Sequence, residues 1–462
     1  MRPIFPPPHF AEIPSECALF PRPRVGLSTD LYSPPFEDLL EVLSDGPAPE
    51  YLELFRGRTS DLSEARRRIP AEIPLAYHGD CLWYTQAEFP SDPAYREEIQ
   101  RARGHMEALE SPWMIHECAQ KTMEGYAFGL YAPPLLTLEG ALAARRGALH
   151  LLENLGGRLL LVETPPFPPP PPGPLALGEF FHLLTRETPL GIGLDLGHCL
   201  TYLSVAGCSA TPSSLVEWLR NSFPLDRVVE IHVGGLAART LPAPKPPLQA
   251  PFQALIDDHT EAVPDLLFEC LESVLRDLAL PSLAGVALEV DNKALCTIAR
   301  EFSRFHEIVV RTARPGGRPL PPSPPAPPVP LTPEAESRLR GGYRALGRSM
   351  AGSPDSPYAR CLYAEEIWSF GGAMPAILPE TLSLLEQRGV DPRSSFVSYF
   401  NLHPRSLLRP MDFLEIKLLR ISEWIETLAR ERGPSFDPVR AAAEKEVRLL
   451  MDAQTQYNGD PL

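Results

Sequence analysis

The sequence predicts an α/β chain, a TIM-type (β/α)8 barrel followed by a small all-α C-terminal domain. Three observations predict it. Eight short apolar runs alternate with helical segments between residues 24 and 312, which argues for a closed parallel barrel over an open sheet. Most of these runs end on His, Asp or Glu, and the C-terminal mouth of such a barrel is where chemistry sits. Beyond the proline-rich residues 313–333 the strand signal vanishes and only helical spacing is left.

The elements follow in order. Residues 1–23 are Pro-rich and read as an irregular arm. Arg24-Val-Gly-Leu-Ser is a first strand, and Phe36–Leu43 has helical spacing. Tyr51-Leu-Glu-Leu-Phe is a second strand, followed by a polar, Arg-rich stretch around residues 66–68. Ile73-Pro-Leu-Ala-Tyr-His-Gly is a third and ends on His78; Pro93–Leu109 is a charged amphipathic helix with Pro at its start. Trp113-Met-Ile-His-Glu-Cys is a fourth strand and carries His116. Residues 137–155 form a helix with Thr137 as N-cap and Gly156-Gly157 as its stop. Arg158-Leu-Leu-Leu-Val-Glu-Thr is a fifth strand ending on Glu163, and 176–186 is helical.

Pro189-Leu-Gly-Ile-Gly-Leu is the sixth run. A run this short and apolar reads as a buried parallel strand. It leads into Asp195 and, three residues on, His198, where a loop is expected to begin. After a helix at 212–221, Arg227-Val-Val-Glu-Ile-His-Val-Gly-Gly is a seventh strand with His232 near its end. A long loop then carries Asp257-Asp258-His259, before a helix at 263–278. Gly285-Val-Ala-Leu-Glu-Val-Asp, with Glu289 and Asp291, is the eighth strand, and 293–310 is the last helix of the unit. The divisions are therefore an arm at 1–23, a barrel at 24–312, a linker at 313–333 and a helical domain at 334–462. Helices in the last are expected at 333–346, 357–368, Pro379–Glu386, 412–430 and 437–453.

Composition narrows the function classes. A net charge of −16 leaves no excess of Lys and Arg to displace counterions from a nucleic-acid backbone. Eight cysteines are scattered without a CxxC, so neither a zinc ribbon nor a thioredoxin-type site is expected, and the thiols suit a reducing compartment. The N-terminus lacks a continuous apolar stretch, and nowhere do 18 apolar residues run together. Neither a signal peptide nor a membrane span is expected, and the chain reads as cytoplasmic.

The polar residues at strand ends form a candidate metal constellation: His78, His116, Glu163, Asp195, His198, His232, Asp257, His259 and Glu289. So many nitrogen and oxygen donors exceed the needs of one ion and suit two or three, bridged by carboxylates. With no thiolate among them, a structural zinc site is excluded. Mixed imidazole and carboxylate donors suit iron, zinc or manganese. Zinc would favour a metal-bound hydroxide for hydrolysis, and iron would add redox and oxygen chemistry. Spacing does not choose between them.

Over residues 24–310 the chain resembles the multinuclear non-heme iron-dependent oxidative enzymes that modify cysteine in methanobactin-type and related ribosomally made peptides. The resemblance is carried by Val25-Gly-Leu, Tyr51-Leu-Glu-Leu-Phe, His78-Gly79, Leu194-Asp-Leu-Gly-His, Glu230-Ile-His-Val-Gly-Gly, Asp257-Asp-His with Val263, and Glu289-Val-Asp. It implies a xylose-isomerase-like barrel holding two or three irons (Fe2+/Fe3+), which use oxygen to oxidise a residue, typically Cys, of a bound peptide. It also implies a catalytic role toward substrate for Asp291, an acidic position after the last metal Glu. The chain departs from the family at three positions: His198 stands where Asn is usual, Ile115 where Asp is usual, and Val290 where Arg is usual. His198 makes the pattern similar to endonuclease IV, a trinuclear zinc phosphodiesterase on the same barrel. A sugar isomerase and a non-catalytic metal-holding scaffold are further alternatives. The C-terminal region, through Tyr358-Ala-Arg-Cys-Leu-Tyr and Tyr399-Phe-Asn-Leu-His-Pro, resembles the helical partner proteins of these iron enzymes, which implies a part in presenting the peptide.

Overall fold

Each of the eight apolar runs forms a strand in the computed structural model. The structure describes residues 22–458 except 33, 45, 56, 124–125, 168–171, 242–251, 291–292, 319, 321–330, 351–367, 369–373 and 403–412. In chain order the strands are β1 (Arg24–Thr29), β2 (Tyr51–Phe55), β3 (Leu75–His78), β4 (Trp113–Glu117), β5 (Gln120–Met123), β6 (Tyr126–Ala132), β7 (Leu159–Glu163), β8 (Gly191–Asp195), β9 (Val228–Val233), β10 (Leu236–Leu241), β11 (Phe252–Asp257) and β12 (Gly285–Glu289). The parallel strands β1, β2, β3, β4, β7, β8, β9 and β12 close in that order into a barrel, with β12 pairing β1. This is a TIM-type (β/α)8 barrel.

Side-chain parity builds two layers, because successive residues of a strand face opposite ways. Tyr51, Ala76, Trp113, Ile115, Leu159, Leu161 and Ala287 pack together inside the barrel. Their strand neighbours, such as Leu52, Leu54, Met114, Leu160, Val162 and Leu288, belong to a separate, larger core shared with the surrounding helices. The pairing of β8 with β9 slips by one residue between Ile192 and Gly193, a bulge of the kind that re-aims side chains near functional sites.

The helices follow local chemistry. The Asp92 carboxylate accepts the Ala94 amide at 3.0 Å and starts Pro93–Leu109. Thr137 Oγ1 accepts the Gly140 amide at 3.0 Å and starts Leu138–Asn154, which gives way to Gly156 and Gly157 at φ +71° and +81°. The Arg-rich stretch is the end of a helix, Thr59–Arg68, whose last carbonyls precede a turn gathered by Arg66 through Ile69 O, Pro70 O and Ile73 O.

Two expectations are corrected. No loop follows Asp195: helix Leu196–Val205 begins at once, and Asp195 caps it by accepting the His198 amide at 2.6 Å. The long loop after β9 contains an antiparallel hairpin, β10–β11, in which Asp257 lies opposite Leu236. The hairpin returns Asp257 to the strand end it left, which an extended loop would not ensure. A second hairpin, β5–β6, follows β4.

After the barrel come helices Pro333–Met350, Met374–Ile377, Pro379–Glu386, Pro392–Leu402, Phe413–Arg432 and Asp437–Asn458. Leu385, Phe396, Leu418, Ile421 and Trp424 form part of their core, which continues onto Ala87, Ala132 and Ala143 of the barrel. Tyr343 Oη donates to Thr85 O and accepts the Leu135 amide, both at 3.3 Å. Arg146 and Arg338 pair with Glu336 and Glu139 at 2.9 Å. The arm to residue 21, much of the 313–333 linker and the helix expected at 357–368, except Trp368, lie outside the described residues. Among the described residues no helix is long and apolar enough to cross a membrane.

Candidate metal centre

The inward-facing positions of the strands change character from bottom to top. Above Tyr51 stands Glu53, above Ala76 stands His78, above Ile115 stands Glu117, and above Leu161 stands Glu163. Asp195, His232 and Glu289 take the equivalent places on β8, β9 and β12. Asp257 and His259 arrive through the hairpin and His198 from the first turn of its helix. All of these residues are buried.

Their polar atoms interlock. His232 Nδ1 lies 3.0 Å from Glu163 Oε1 and 3.3 Å from Glu289 Oε1, while Nε2 lies 3.3 Å from Glu53 Oε1. His78 Nε2 is 3.3 Å from Glu163 Oε2. Asp257 sits between two imidazoles, His198 Nε2 at 3.3 Å and His259 Nε2 at 3.2 Å, and His259 continues to Glu289 Oε2 at 3.4 Å. Among the described residues four groups result, each with donor atoms within 4.8 Å of one another: Glu53–His78–His232–Glu289, Glu163–Asp195–His232–Glu289 and His78–Glu117–Glu163, which share members, and His198–Asp257–His259, which shares none with them.

Backbone contacts aim the imidazoles. His78 Nδ1 faces Gly79 O at 3.1 Å and His198 Nδ1 faces Thr164 O at 2.6 Å. An Nδ1–H that donates to a carbonyl leaves the Nε2 lone pair pointing into the cluster, as metal-ligating histidines are normally held.

The electrostatics are those of a crowded anionic pocket. Burial alone would lower the His78 pKa, but Glu117, Glu163 and Glu53 hold it up at about 10. Burial likewise opposes the charged forms of His198 and His232, yet surrounding carboxylates hold both well above the usual imidazole value. Burial also works against charge on Glu163, Asp257 and Glu289. Neighbouring imidazoles, chiefly His232, His259 and His232 in that order, keep them below the usual carboxylate range. Asp195 is pushed up to about 7 by burial, with His198 opposing and Glu289, Asp257 and Glu163 adding to the rise.

The donor set fits metal ions. Glu53 Oε2, Glu163 Oε2, Asp195 Oδ2, Glu289 Oε2, His198 Nε2 and His232 Nε2 are buried without a hydrogen-bond partner. An unmatched buried polar atom costs about 1–3 kcal/mol, and so many in one cavity call for cations. Donors of N and O type with no thiolate among the four groups suit iron, zinc or manganese.

No family model matches the chain. It is similar to a UPF0276 protein of Rhizorhabdus wittichii, 24% identical over 298 residues that span 62% of this chain and 93% of that protein. Among solved structures it is similar to a D-tagatose 3-epimerase-like protein (15% identity, 62% of this chain, 98% of that one, TM-score 0.37). It is also similar to endonuclease IV from Thermus thermophilus (14% identity, 63% and 100%, TM-score 0.39). A xylose isomerase domain protein from Planctomyces limnophilus gives 13% identity, 63% and 98%, and a TM-score of 0.38.

Of the nine expected donors, eight converge; His116 stands apart. It shares the outward parity of Met114, its Nε2 accepts the Leu82 amide at 3.1 Å, and its Nδ1 faces Glu117 O at 2.9 Å. The rings of Trp83 and Tyr84 pack on it. Glu117 takes the inward place instead, and Glu53 joins from β2. Both have a sequence signal in hindsight, since each lies two residues beyond an inward apolar residue. A further inward carboxylate, Glu230, sits lower in the barrel, where it accepts hydrogen bonds from Tyr51 Oη and, at 2.7 Å, Trp113 Nε1. Asp291 lies outside the described residues.

Proposed function

We propose that the barrel is a multinuclear iron-dependent oxidative enzyme that modifies a residue, in the first instance Cys, of a ribosomally made peptide with the help of oxygen. The observation that carries the metal part is the interlocking of four buried donor groups whose unmatched atoms face one another. Iron and the peptide are favoured by the resemblance of Leu194-Asp-Leu-Gly-His, Glu230-Ile-His-Val-Gly-Gly, Asp257-Asp-His and Glu289-Val-Asp to the iron family. Bound iron would accept electrons and engage oxygen. The chain's own part is to hold the ions with His78, Glu163, Asp195, His198, His232, Asp257, His259 and Glu289, joined by Glu53 and Glu117. The barrel wall keeps bulk water from them. Residues 334–462 are proposed to help present the peptide, supported by their packing on Thr85 and Ala87, in the segment that follows His78.

A second reading, a zinc hydrolase, is favoured by one residue. His198 supplies an imidazole where the iron family has Asn, and it pairs with Asp257 as a zinc donor would. The net charge of −16 weighs against nucleic acid as its substrate.

Metal analysis of protein purified without air, combined with oxygen uptake on candidate Cys-containing peptides, separates the two. Two or three irons per chain and uptake that needs both peptide and iron are expected. Full activity of a zinc-loaded, iron-free chain in the absence of oxygen would overturn the oxidative reading in favour of the hydrolytic one.

A further inference from the structure

Lys293 and Glu301 form an ion pair with no evident place in a binding site, 3.0 Å from Nζ to Oε2, both buried inside the protein. A buried pair of this kind costs more desolvation than a pair of apolar side chains in the same space, so its other contacts matter. The second oxygen of Glu301 accepts the Val263 amide at 3.0 Å. Val263 closes the turn that begins at Asp257. Within that turn the Asp258 carboxylate accepts Thr260 Oγ1 at 2.6 Å, and the Glu261 amide donates to Asp258 O at 3.0 Å. The turn rests on the strand-end glycines: the Asp258 amide donates to Gly235 O at 3.1 Å, and a Cβ on Gly234 would meet the His259 ring at 2.6 Å.

Lys293 stands four residues beyond Glu289, the last donor of β12. The bridge Lys293–Glu301–Val263 therefore ties the end of β12 to the turn that carries Asp257 and His259. Its span includes the contact between His259 Nε2 and Glu289 Oε2. We infer that Lys293 and Glu301 are positioning residues for the His198–Asp257–His259 donor group, and that they act on it, through the turn Glu301 holds at Val263, more than on the groups in which Glu289 joins His78 or Glu163. This rests on the multinuclear metal reading and adds to it a separable, outer-layer control of one ion.

The test is a zinc titration of the full-length, metal-free chain, with bound equivalents counted and hydrogen exchange of the Val263 amide followed alongside. In Glu301→Ala and in Lys293→Met one zinc equivalent should bind about 10–100-fold less tightly, the loss typical of an outer-layer partner, with the other equivalents changed less. The Val263 amide should exchange faster in Glu301→Ala. If that variant does not fold, Glu301→Gln decides by the zinc titration alone, because it keeps an acceptor for the Val263 amide and removes the charge that holds Lys293. A folded variant that keeps every equivalent at wild-type affinity overturns the bridge, as does one in which all equivalents weaken together, the mark of a merely structural role. A wild-type chain that binds no zinc or iron overturns the metal reading itself, and the bridge with it.

Discussion

His116 and Glu117 are neighbours on β4 and face opposite sides of the barrel wall: the imidazole accepts the Leu82 amide at 3.1 Å, and the carboxylate joins His78 and Glu163. Two substitutions should therefore behave differently. Glu117→Ala is expected to lower the metal held per folded chain. His116→Ala is expected to leave metal content alone and to cost about 1–3 kcal/mol of stability, because the Leu82 amide loses its acceptor inside the protein. Elemental analysis and urea unfolding of both variants check this; metal lost from His116→Ala alone would return His116 to the donor set.

The same pair shows where sequence reading reaches and where it stops. His78, Glu163, Asp195, His232 and Glu289 were legible because a local apolar run points at each of them. Glu53 was hidden inside the run Tyr51-Leu-Glu-Leu-Phe, where an acidic residue reads as an interruption. Glu117 was hidden behind a histidine, the more usual ligand. Telling them apart needs the inward face of each strand, and that is fixed only once Tyr51, Trp113 and Ile115 are seen to fill the barrel interior. Asp257 was legible as part of a motif, but its route was not, because the pairing of Leu236 with Asp257 joins positions far apart in the chain.

His232 belongs to two of the donor groups and touches Glu53, Glu163 and Glu289. Replacing it by Ala removes a ligand and the partner of three buried carboxylates at once. The metal-free variant should be less stable by about 3–5 kcal/mol, the cost of breaking a buried charge pair. The stabilisation that wild type gains from metal, about 2.7 kcal/mol at a hundred times its Kd, should largely disappear. Thermal melts with and without chelator measure both; an unchanged metal-induced shift in His232→Ala would contradict the site.

Loading should release protons. The His78 pKa, 6.5 in an ordinary setting, is first opposed by burial and then raised by Glu117, Glu163 and Glu53 to about 10. In the metal-free chain the imidazole is therefore protonated at neutral pH, and a cation must displace that proton. Apparent affinity is expected to climb with pH up to about 10. The metal-free fold should show the opposite trend. A folded pKa raised above the unfolded one contributes stability that is complete below about 6.5 and is lost as pH rises through about 10. Calorimetry in buffers of differing ionisation enthalpy counts the protons, and a metal-binding enthalpy that is the same in all of them would contradict this account.

The floor under the Asp257–His259 turn allows no side chain. A Cβ on Gly235 would lie 2.2 Å from Asp258 O and 2.5 Å from Glu261 O, both backbone atoms that cannot rotate aside. Gly235→Ala must then lift the turn, stretching the hydrogen bond from the Asp258 amide to Gly235 O and carrying His259 away from Glu289. A cost of about 1–3 kcal/mol is expected for the overpacking, together with weaker metal binding. Gly104 is the control, because it lies within helix Pro93–Leu109 with nothing within 4 Å of its added Cβ. Gly104→Ala should stabilise by about 0.5–1 kcal/mol through the smaller backbone entropy lost on folding and leave metal binding untouched. Denaturant unfolding with and without metal compares the two. If Gly235→Ala matched wild type in both measurements, the turn would not be seated on β9 as described, and its two donors would have no fixed place in the cluster.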